Sequence, residues 1–297
     1  MTKALKAHIA LFVAQIIYAL NYSIAKGLMP DHMGPLAIVL FRVAGAAVLF
    51  WITSLFVTTQ AVERKDMIKM VWLSLFGVVI NQIFFIYGLS LTSPINSSII
   101  MISNPIMVFL FTMVLYKERM SFRKFSGLGL AVIGALMILL YKDDFKFGSD
   151  TITGDVMTLI NSASWGVFIV LVKPVMEKYN TVTAMRWMFF WGTLFTIPVC
   201  LHEGLSTDLA AMTEEAWWAL GFVVVATTFF AYLLNIYGLE ALSSNTVSAY
   251  IYLQPFLASL FAIMIGKDQL TPTKILSGIL IILGLYLVNR KTSAQRT

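Results

Sequence analysis

Amide side chains lie in the middle of several long apolar stretches, where polar groups are costly unless they face a cavity or a partner. These amides are Gln15, Asn21, Asn81, Gln82, Asn104, Asn161, Asn235 and Gln254. An amide carries both donors and an acceptor, so a group of amides suits the binding of a small polar molecule. The alternative is hydrogen bonding between helices, worth about 1 kcal/mol or less per bond. The sequence leaves both interpretations open.

Two of the amides are followed by proline, in Asn104-Pro105 and Gln254-Pro255. A proline inside a helix removes a backbone donor and displaces the carbonyl four residues earlier. Each helix is therefore predicted to bend and to free a carbonyl beside an amide. We expect Asn104 and Gln254 to face one central cavity from opposite sides.

Aromatic side chains accompany these amides along the chain. The candidates are Tyr18, Tyr22, Trp165, Tyr232 and Tyr250. Tyr18 and Tyr22 share a helical face with Gln15. Aromatic walls with a few polar groups suit a metabolite of mixed polarity. Packing, or a belt at the membrane interface, is the alternative interpretation.

Arg42 is the charged residue placed deepest in an apolar stretch. It is predicted either to bind a substrate carboxylate, or to snorkel or pair with an interior carbonyl. The predicted substrate site is Gln15, Tyr18, Tyr22, Arg42, Asn81, Gln82, Asn104, Asn161, Trp165, Tyr232, Asn235, Tyr250 and Gln254. No Asp or Glu lies at the centre of a stretch, so the sequence shows no proton relay. No catalytic residue, metal ligand or cofactor is predicted.

The amino-acid composition indicates that much of the surface of the folded chain contacts lipid instead of water. Hydrophobic residues make up 59% of the 297 and charged residues 12%, with a mean hydropathy of +0.84, whereas soluble domains carry about 25% charged residues. The net charge of +6 comes from basic residues at the ends of apolar stretches, which argues against a nucleic-acid partner. The lone Cys200 excludes an intrachain disulfide and a multi-cysteine metal site.

The apolar stretches predict an all-α integral membrane protein of ten transmembrane helices. The predicted spans are 6–28, 34–57, 68–91, 95–116, 122–141, 154–175, 182–202, 216–239, 245–266 and 273–289. With both termini in the cytoplasm, the inner loops hold about three times as many Lys and Arg residues as the outer loops, the bias expected of inner-membrane proteins.

The second half of the chain repeats the first. At a shift of 150 residues, 86–89 falls on 236–239, both reading Ile-Tyr-Gly-Leu, and 8–26 covers 155–173 at a shift of 147. Arg42 matches Arg186 at a shift of 144. Five spans per half is an odd number, so the two repeats must be inverted in the membrane. The predicted organisation is a first repeat at 1–141, an external linker at 142–153, a second repeat at 154–290 and a cytoplasmic tail at 291–297.

Short motifs in both halves carry a family resemblance. They are Tyr18-Ala-Leu-Asn21 and Ser164-Trp165-Gly166, Phe41-Arg42 and Met185-Arg186, Gly154-Asp155, and the segment from Ser97 through Pro105 to Lys117-Glu118-Arg119 and on to Gly127, Gly129 and Gly134. On these grounds the chain resembles an EamA-type member of the drug/metabolite transporter superfamily. The resemblance implies two five-helix EamA domains and movement of metabolites, often amino acids or related compounds, commonly outward. The second repeat departs from it at Lys267-Asp268-Gln269.

The predicted function is secondary transport of small metabolites across the bacterial inner membrane by alternating access through a central cavity. The resemblance implies amino acids or related compounds as substrates and export as the direction. A passive facilitator and a flippase for lipid-linked substrates are the alternatives. A membrane enzyme is disfavoured because the chain has neither His-Glu-x-x-His nor Gly-x-Ser-x-Gly. A receptor would need a soluble signalling part for which the loops leave no room. The expected partners are a small-molecule substrate and the lipid bilayer, and the chain is expected to be a monomer or homodimer.

Overall fold

The structure, a computed structural model, describes residues 2–117, 121–140, 151–264 and 271–289. Within these residues the secondary structure is helical, with no β-strand. The helices are α1 (Lys3–Gly27), α2 (Pro35–Thr53), α3 (Arg64–Leu91), α4 (Pro94–Tyr116), α5 (Phe122–Leu140), α6 (Ile152–Lys178), α7 (Thr181–Ser206), α8 (Glu214–Ala241), α9 (Ser244–Ala249, a 3-10 turn Tyr250–Tyr252, and Leu253–Met264) and α10 (Pro272–Asn289). Glu118-Arg119, Lys267-Asp268-Gln269, most of the predicted linker and the predicted tail lie outside the described residues.

Seven helices in this part of the chain are long and apolar enough to cross a membrane: α1, α2, α3, α4, α6, α7 and α8. The apolar stretch of α10, Pro272–Val288, is shorter. The prediction of an all-helical membrane protein is confirmed. The count of ten spans and the inversion of the repeats stay predictions.

Short polar signals set where several helices begin. The hydroxyls of Ser93 and Ser243, equivalent in the two repeats, each accept a hydrogen bond from the backbone N–H three residues later, at the starts of α4 and α9. Asn180 and Thr213 cap α7 and α8 in the same way. Each cap satisfies a backbone donor that has no partner within its helix.

Four helices depart from regular α geometry at matched places. α3 and α8 contain π-helical segments, Leu75–Ile80 and Phe222–Phe230. α4 is interrupted at Ile102, and α9 contains the 3-10 turn Tyr250–Tyr252. Both interruptions lie just ahead of the prolines, where a disturbed helix was expected. The π segments were not predicted, and they leave backbone carbonyls for side chains of other helices.

Helix packing follows the internal repeat. α3 packs on α6 as α8 packs on α1, and α4 packs on α6 as α9 packs on α1. α2 packs along α7, and α5 along α10. Each pairing therefore either has a counterpart in the other half or joins two equivalent helices.

Two lysines show this correspondence at the level of atoms. Lys26 in α1 donates to the carbonyl of Leu89 at 2.8 Å and to two further carbonyls at the end of α3. Lys173 in α6 donates to the carbonyl of Leu239 at 2.5 Å and to a second one after the end of α8. An ammonium group at a helix C-terminus bonds carbonyls that lack a helical partner. Residues matched at shifts of 147 and 150 therefore make matched contacts.

Candidate functional site

A cavity lies between the two halves of the chain. It is lined by Gln15, Tyr18, Asn21, Tyr22, Arg42, Asn81, Gln82, Phe85, Met101, Asn161, Trp165, Tyr232, Asn235, Val247, Ile251 and Gln254. These side chains come from α1–α4 and from α6, α8 and α9. The cavity has a volume of about 70 Å³, which is room for a handful of water molecules. The cavity is therefore narrow in this conformation.

One wall is an amide contact between α1 and α9. Gln254 Nε2 donates to Gln15 Oε1 at 2.7 Å, and the Tyr22 hydroxyl donates to Gln254 Oε1 at 3.3 Å. Gln15 is fully buried, and its Nε2 has no hydrogen-bond partner within the described part of the chain. These amides join two helices and also face the cavity.

A second polar wall joins α3, α6 and α8. Gln82 Nε2 donates to the Tyr232 hydroxyl. This hydroxyl can donate its own proton to the Gly77 carbonyl at 2.8 Å or to Asn81 Oδ1 at 2.9 Å. Asn161 Nδ2 donates to the Asn81 carbonyl at 2.7 Å. Gly77 belongs to the π segment of α3. The irregular helix thus supplies a backbone acceptor to a tyrosine of the cavity wall.

Aromatic rings form the apolar part of the lining. Trp165 and Tyr232 meet edge to face with ring centroids 5.2 Å apart, and Tyr22 meets Phe85 in the same way at 5.6 Å. Edge-to-face pairs are a favoured arrangement of aromatic side chains. The cavity therefore offers flat apolar surfaces between its two polar walls.

Among the described residues that line the cavity, Arg42 is the one with a charged side chain. It is 2% exposed, so it does not snorkel to the membrane surface. Its Nε donates to Thr228 Oγ1 at 2.9 Å, and the Thr228 hydroxyl donates to the Val223 carbonyl, five residues earlier in the π segment of α8, at 2.7 Å. Among the described residues Nη1 has no hydrogen-bond partner. The guanidinium is thus bonded at Nε and unpaired at Nη1.

The model of the EamA-like transporter family matches residues 5–140 and again residues 152–290. The chain belongs to the EamA-like transporter family. It is a multi-pass membrane transporter, and the family and the similar proteins are transporters rather than enzymes.

Curated relatives resemble this transporter over nearly its whole length. An uncharacterized transporter of Archaeoglobus fulgidus is 27% identical over 96% of this chain and 98% of its own. An uncharacterized transporter of Bacillus subtilis is 23% identical over 95% and 93% of the two chains. A WAT1-related protein of Arabidopsis thaliana is 25% identical over 95% of this chain and 85% of its own. A chain of known crystal structure shares the fold, with a TM-score of 0.75 and 16% identity over 96% of this transporter and 95% of that chain.

All the predicted site residues except Asn104 and Tyr250 line the cavity; their contact with substrate stays a prediction. The lining residues outside the predicted site are Phe85, Met101, Val247, Ile251 and Asn21, of which Asn21 was noted as a mid-span amide but not assigned to the site. Asn21 follows Tyr18 by three residues, and Ile251 precedes Gln254 by three. Helical spacing from a predicted residue could have identified both. Nothing in the local pattern singles out Phe85.

Asn104 is not among the described residues that line the cavity with Gln254, and its contact with substrate stays a prediction. Its Nδ2 donates to the Ser162 carbonyl at 2.7 Å, and the side chain is fully buried between α4 and α6. Ser162 is the repeat equivalent of Gln15 at a shift of 147. The short serine lets Asn104 reach the backbone of α6, whereas the long Gln15 side chain meets Gln254 at the cavity wall.

Tyr250 is also outside the described lining of the cavity, and its contact with substrate stays a prediction. Its hydroxyl lies 2.7 Å from His8 Nδ1 in α1. Tyr250 begins the 3-10 turn of α9. A 3-10 turn has three residues per turn instead of 3.6, so Tyr250 and Gln254 do not share the face that a regular helix would give them.

Proposed function

We propose that this EamA-like protein is a secondary transporter that moves small metabolites across the bacterial inner membrane by alternating access through the cavity. Its two halves act as inverted five-helix repeats with both termini in the cytoplasm. The proposed direction is outward, which the family resemblance implies. The observation that carries the proposal is a narrow polar and aromatic cavity to which helices of both halves contribute.

The matched packing supports an alternating mechanism. Helices α1 and α6 occupy equivalent places, each packed on the third and fourth helices of the other half. Inverted repeats supply two related arrangements around one midplane site, and exchange between them opens the site to each side in turn. The Lys26 and Lys173 contacts hold each such helix to the third helix of its own half.

The topology can be tested with reporters fused after Lys146, after Asp208 and at the carboxyl end. The proposal expects the first two outside and the last inside, because ten spans return the chain to its starting side. A cytoplasmic reporter at Asp208 would contradict the inverted arrangement.

The transport activity can be tested by screening pools of labelled metabolites in proteoliposomes, with empty liposomes as the background. For a compound that moves, Tyr232→Phe should slow transport about tenfold, since it removes a hydroxyl that bonds the cavity wall. The matched control is Tyr286→Phe, whose side chain lies on the surface of α10 with 58% exposed. Equal effects of the two changes would place the pathway elsewhere.

Secondary transport and passive facilitation differ in one measurement. A secondary transporter accumulates its substrate against a concentration gradient when an ion gradient is imposed on the proteoliposomes. A facilitator only equilibrates the substrate. Equilibration under every imposed gradient would favour the facilitator.

A further inference from the structure

Arg42 places an unbalanced positive charge in the wall of the cavity. Among the described residues it forms no salt bridge, and no Asp or Glu is among the cavity residues. The side chain is 2% exposed, and Nη1 has no hydrogen-bond partner among the described residues. A guanidinium cannot lose its proton in a protein, and a buried charge without a partner is strongly unfavourable. An anion that enters the cavity would supply that partner.

The hydrogen bond to Thr228 fixes the position of the Arg42 side chain in the cavity wall. Thr228 accepts from Arg42 Nε because its own hydroxyl proton is donated to the Val223 carbonyl inside the π segment. This contact holds the base of the guanidinium against α8. Nη1 is left for a ligand.

The other polar groups of the cavity are neutral amides and tyrosines. Asn21 Oδ1, Gln82 Oε1 and Asn161 Oδ1 are buried and have no hydrogen-bond partner among the residues that the structure describes. An amide can present its oxygen or its NH2 group to a ligand, so these groups suit several uncharged polar substituents. They do not neutralise a substrate ammonium, which would also lie near a fixed positive charge.

We propose that the transported substrate is a monocarboxylate with an apolar or aromatic body, whose carboxylate pairs with Arg42. This inference rests on the transport function proposed above and names its substrate class. One guanidinium balances one negative charge, and the described residues that line the cavity include no second cation for a dianion. The rings of Trp165, Tyr232, Tyr22 and Phe85 supply the surface for the body of the molecule.

The test measures binding to the purified full-length protein in nanodiscs, using probes that differ only in charge. They are phenylacetate, phenylacetamide and phenethylamine, with 4-methylpentanoate and its amide as an aliphatic pair. At least one carboxylate should bind ten or more times tighter than its amide, and the amine should not bind. In Arg42→Gln the carboxylate and its amide should bind within about threefold of each other. A carboxylate that binds no better than its amide, or the failure of both carboxylates to bind, would overturn the proposal.

Two further variants separate a binding role from a structural one. Arg186→Gln removes the equivalent arginine of the second half and should keep the carboxylate preference. Arg42→Lys keeps the charge and should keep part of the preference for the carboxylate. This variant provides the test if Arg42→Gln does not fold. Without ligand, Arg42→Gln should melt at or above the wild-type temperature because it removes an unpaired buried charge. A much lower melting temperature would show that Arg42 serves the fold, and would overturn the proposal.

Counterflow in proteoliposomes distinguishes failure of this inference from failure of the transport function. Carboxylates that bind through Arg42 but do not exchange across the membrane would contradict transport and leave the binding assignment standing. Exchange of the amides and amines without any carboxylate preference would contradict the assignment and leave transport standing.

Discussion

Arg42 and Arg186 hold equivalent places in the two halves, yet their surroundings differ. Arg42 lies in the cavity wall and bonds one hydroxyl. The guanidinium carbon of Arg186 lies 5.1 Å from the ring of Trp51 and 5.7 Å from that of Trp187. Unlike Arg42, Arg186 is only partly buried, and its Nη1 donates to Thr59 Oγ1 at 3.3 Å, so water, this hydroxyl and the two rings stabilise its charge without an anion. The repeat therefore sets where an arginine stands, and its neighbours decide whether its charge is available to a substrate.

The same contrast holds at the amide that precedes each proline. Gln254 meets Gln15 beside the cavity, whereas Asn104 meets the backbone at Ser162. Both pairs join equivalent helices, so the two halves pack in the same way. The contacts differ, because Gln254 bonds a side chain and Asn104 bonds a backbone carbonyl. The cavity is thus an asymmetric site inside a repeated scaffold. Four measurements can break or sharpen this comparison.

The largest effect is expected where equivalent glycines bring α5 and α10 together. A Cβ at Gly284 would lie 2.5 Å from the Gly127 carbonyl oxygen, and one at Gly134 would lie 2.7 Å from that of Ser277. Both obstacles are backbone, so the helices must move apart. Gly284→Ala and Gly134→Ala should each cost about 3 kcal/mol, measured as a fall in melting temperature in detergent.

The control for these glycines is Gly129 in α5, where an added Cβ meets no atom within 4 Å. Gly129→Ala should stabilise the protein by about 0.5–1 kcal/mol through helix propensity. A large loss in only one of the two close-contact variants would show that the halves are not matched at this pair of helices.

A transport measurement should distinguish the two amides. Gln254→Leu should lower the transport rate about tenfold or more, because it removes a cavity amide and leaves Gln15 and Tyr22 without their partner. Asn104→Leu should leave the substrate KM unchanged and lower the melting temperature, since its bond holds α4 to α6. Loss of substrate binding in Asn104→Leu with a normal melting temperature would return Asn104 to the cavity.

The two lysines provide a smaller effect that should be equal in both halves. Lys26→Met and Lys173→Met should each lower stability by about 1 kcal/mol, because carbonyls at the ends of α3 and α8 lose a charged donor. Lys6→Met, at an exposed position of α1, is the control and should have little effect. Melting temperatures that differ widely between Lys26→Met and Lys173→Met would contradict the matched role.

The smallest effect concerns the residues that precede α3 and α8, Glu63 and Thr213, which are equivalent at a shift of 150. Hydrogen bonds from Lys178 and Lys65 lower the pKa of Glu63 from its ordinary value of 4.5. Because the pKa of Glu63 is lower in the folded state, ionised Glu63 contributes to the free energy of unfolding above about pH 4.5. This contribution is lost as the pH falls through the folded-state pKa. It is small, since Glu63 is exposed and its ion pairs are screened.

Melting temperatures at pH 7 and pH 4 test this difference. Glu63→Gln should lower the melting temperature slightly at pH 7, and the gap to the wild type should narrow at pH 4. Thr213→Ala removes an uncharged cap, so its gap should be the same at both pH values. A gap for Glu63→Gln that widens at pH 4 would reverse the assigned direction.

Much of the fold and of the site could be predicted because both depend on solvation. Apolar stretches of suitable length form helices in lipid, because a helix satisfies the hydrogen bonds of its own backbone groups. The amides and Arg42 could be selected one residue at a time, because each is too costly to leave against lipid. This reasoning placed Gln15, Gln82 and Gln254 in a common site, and the structure brings them to the same cavity.

Sequence alone determined the all-helical membrane class, the repeat and most of the cavity residues, because these follow from hydropathy, periodicity and the cost of burying polar groups. Tertiary structure decided what depends on the lengths and rotations of neighbouring elements. The 3-10 turn moved Tyr250 toward His8, and the short Ser162 drew Asn104 to the backbone. The surroundings of the two arginines were decided in the same way: Arg186 is partly exposed beside Thr59 and two tryptophan rings, whereas Arg42 is buried with Thr228 on one side and the cavity on the other.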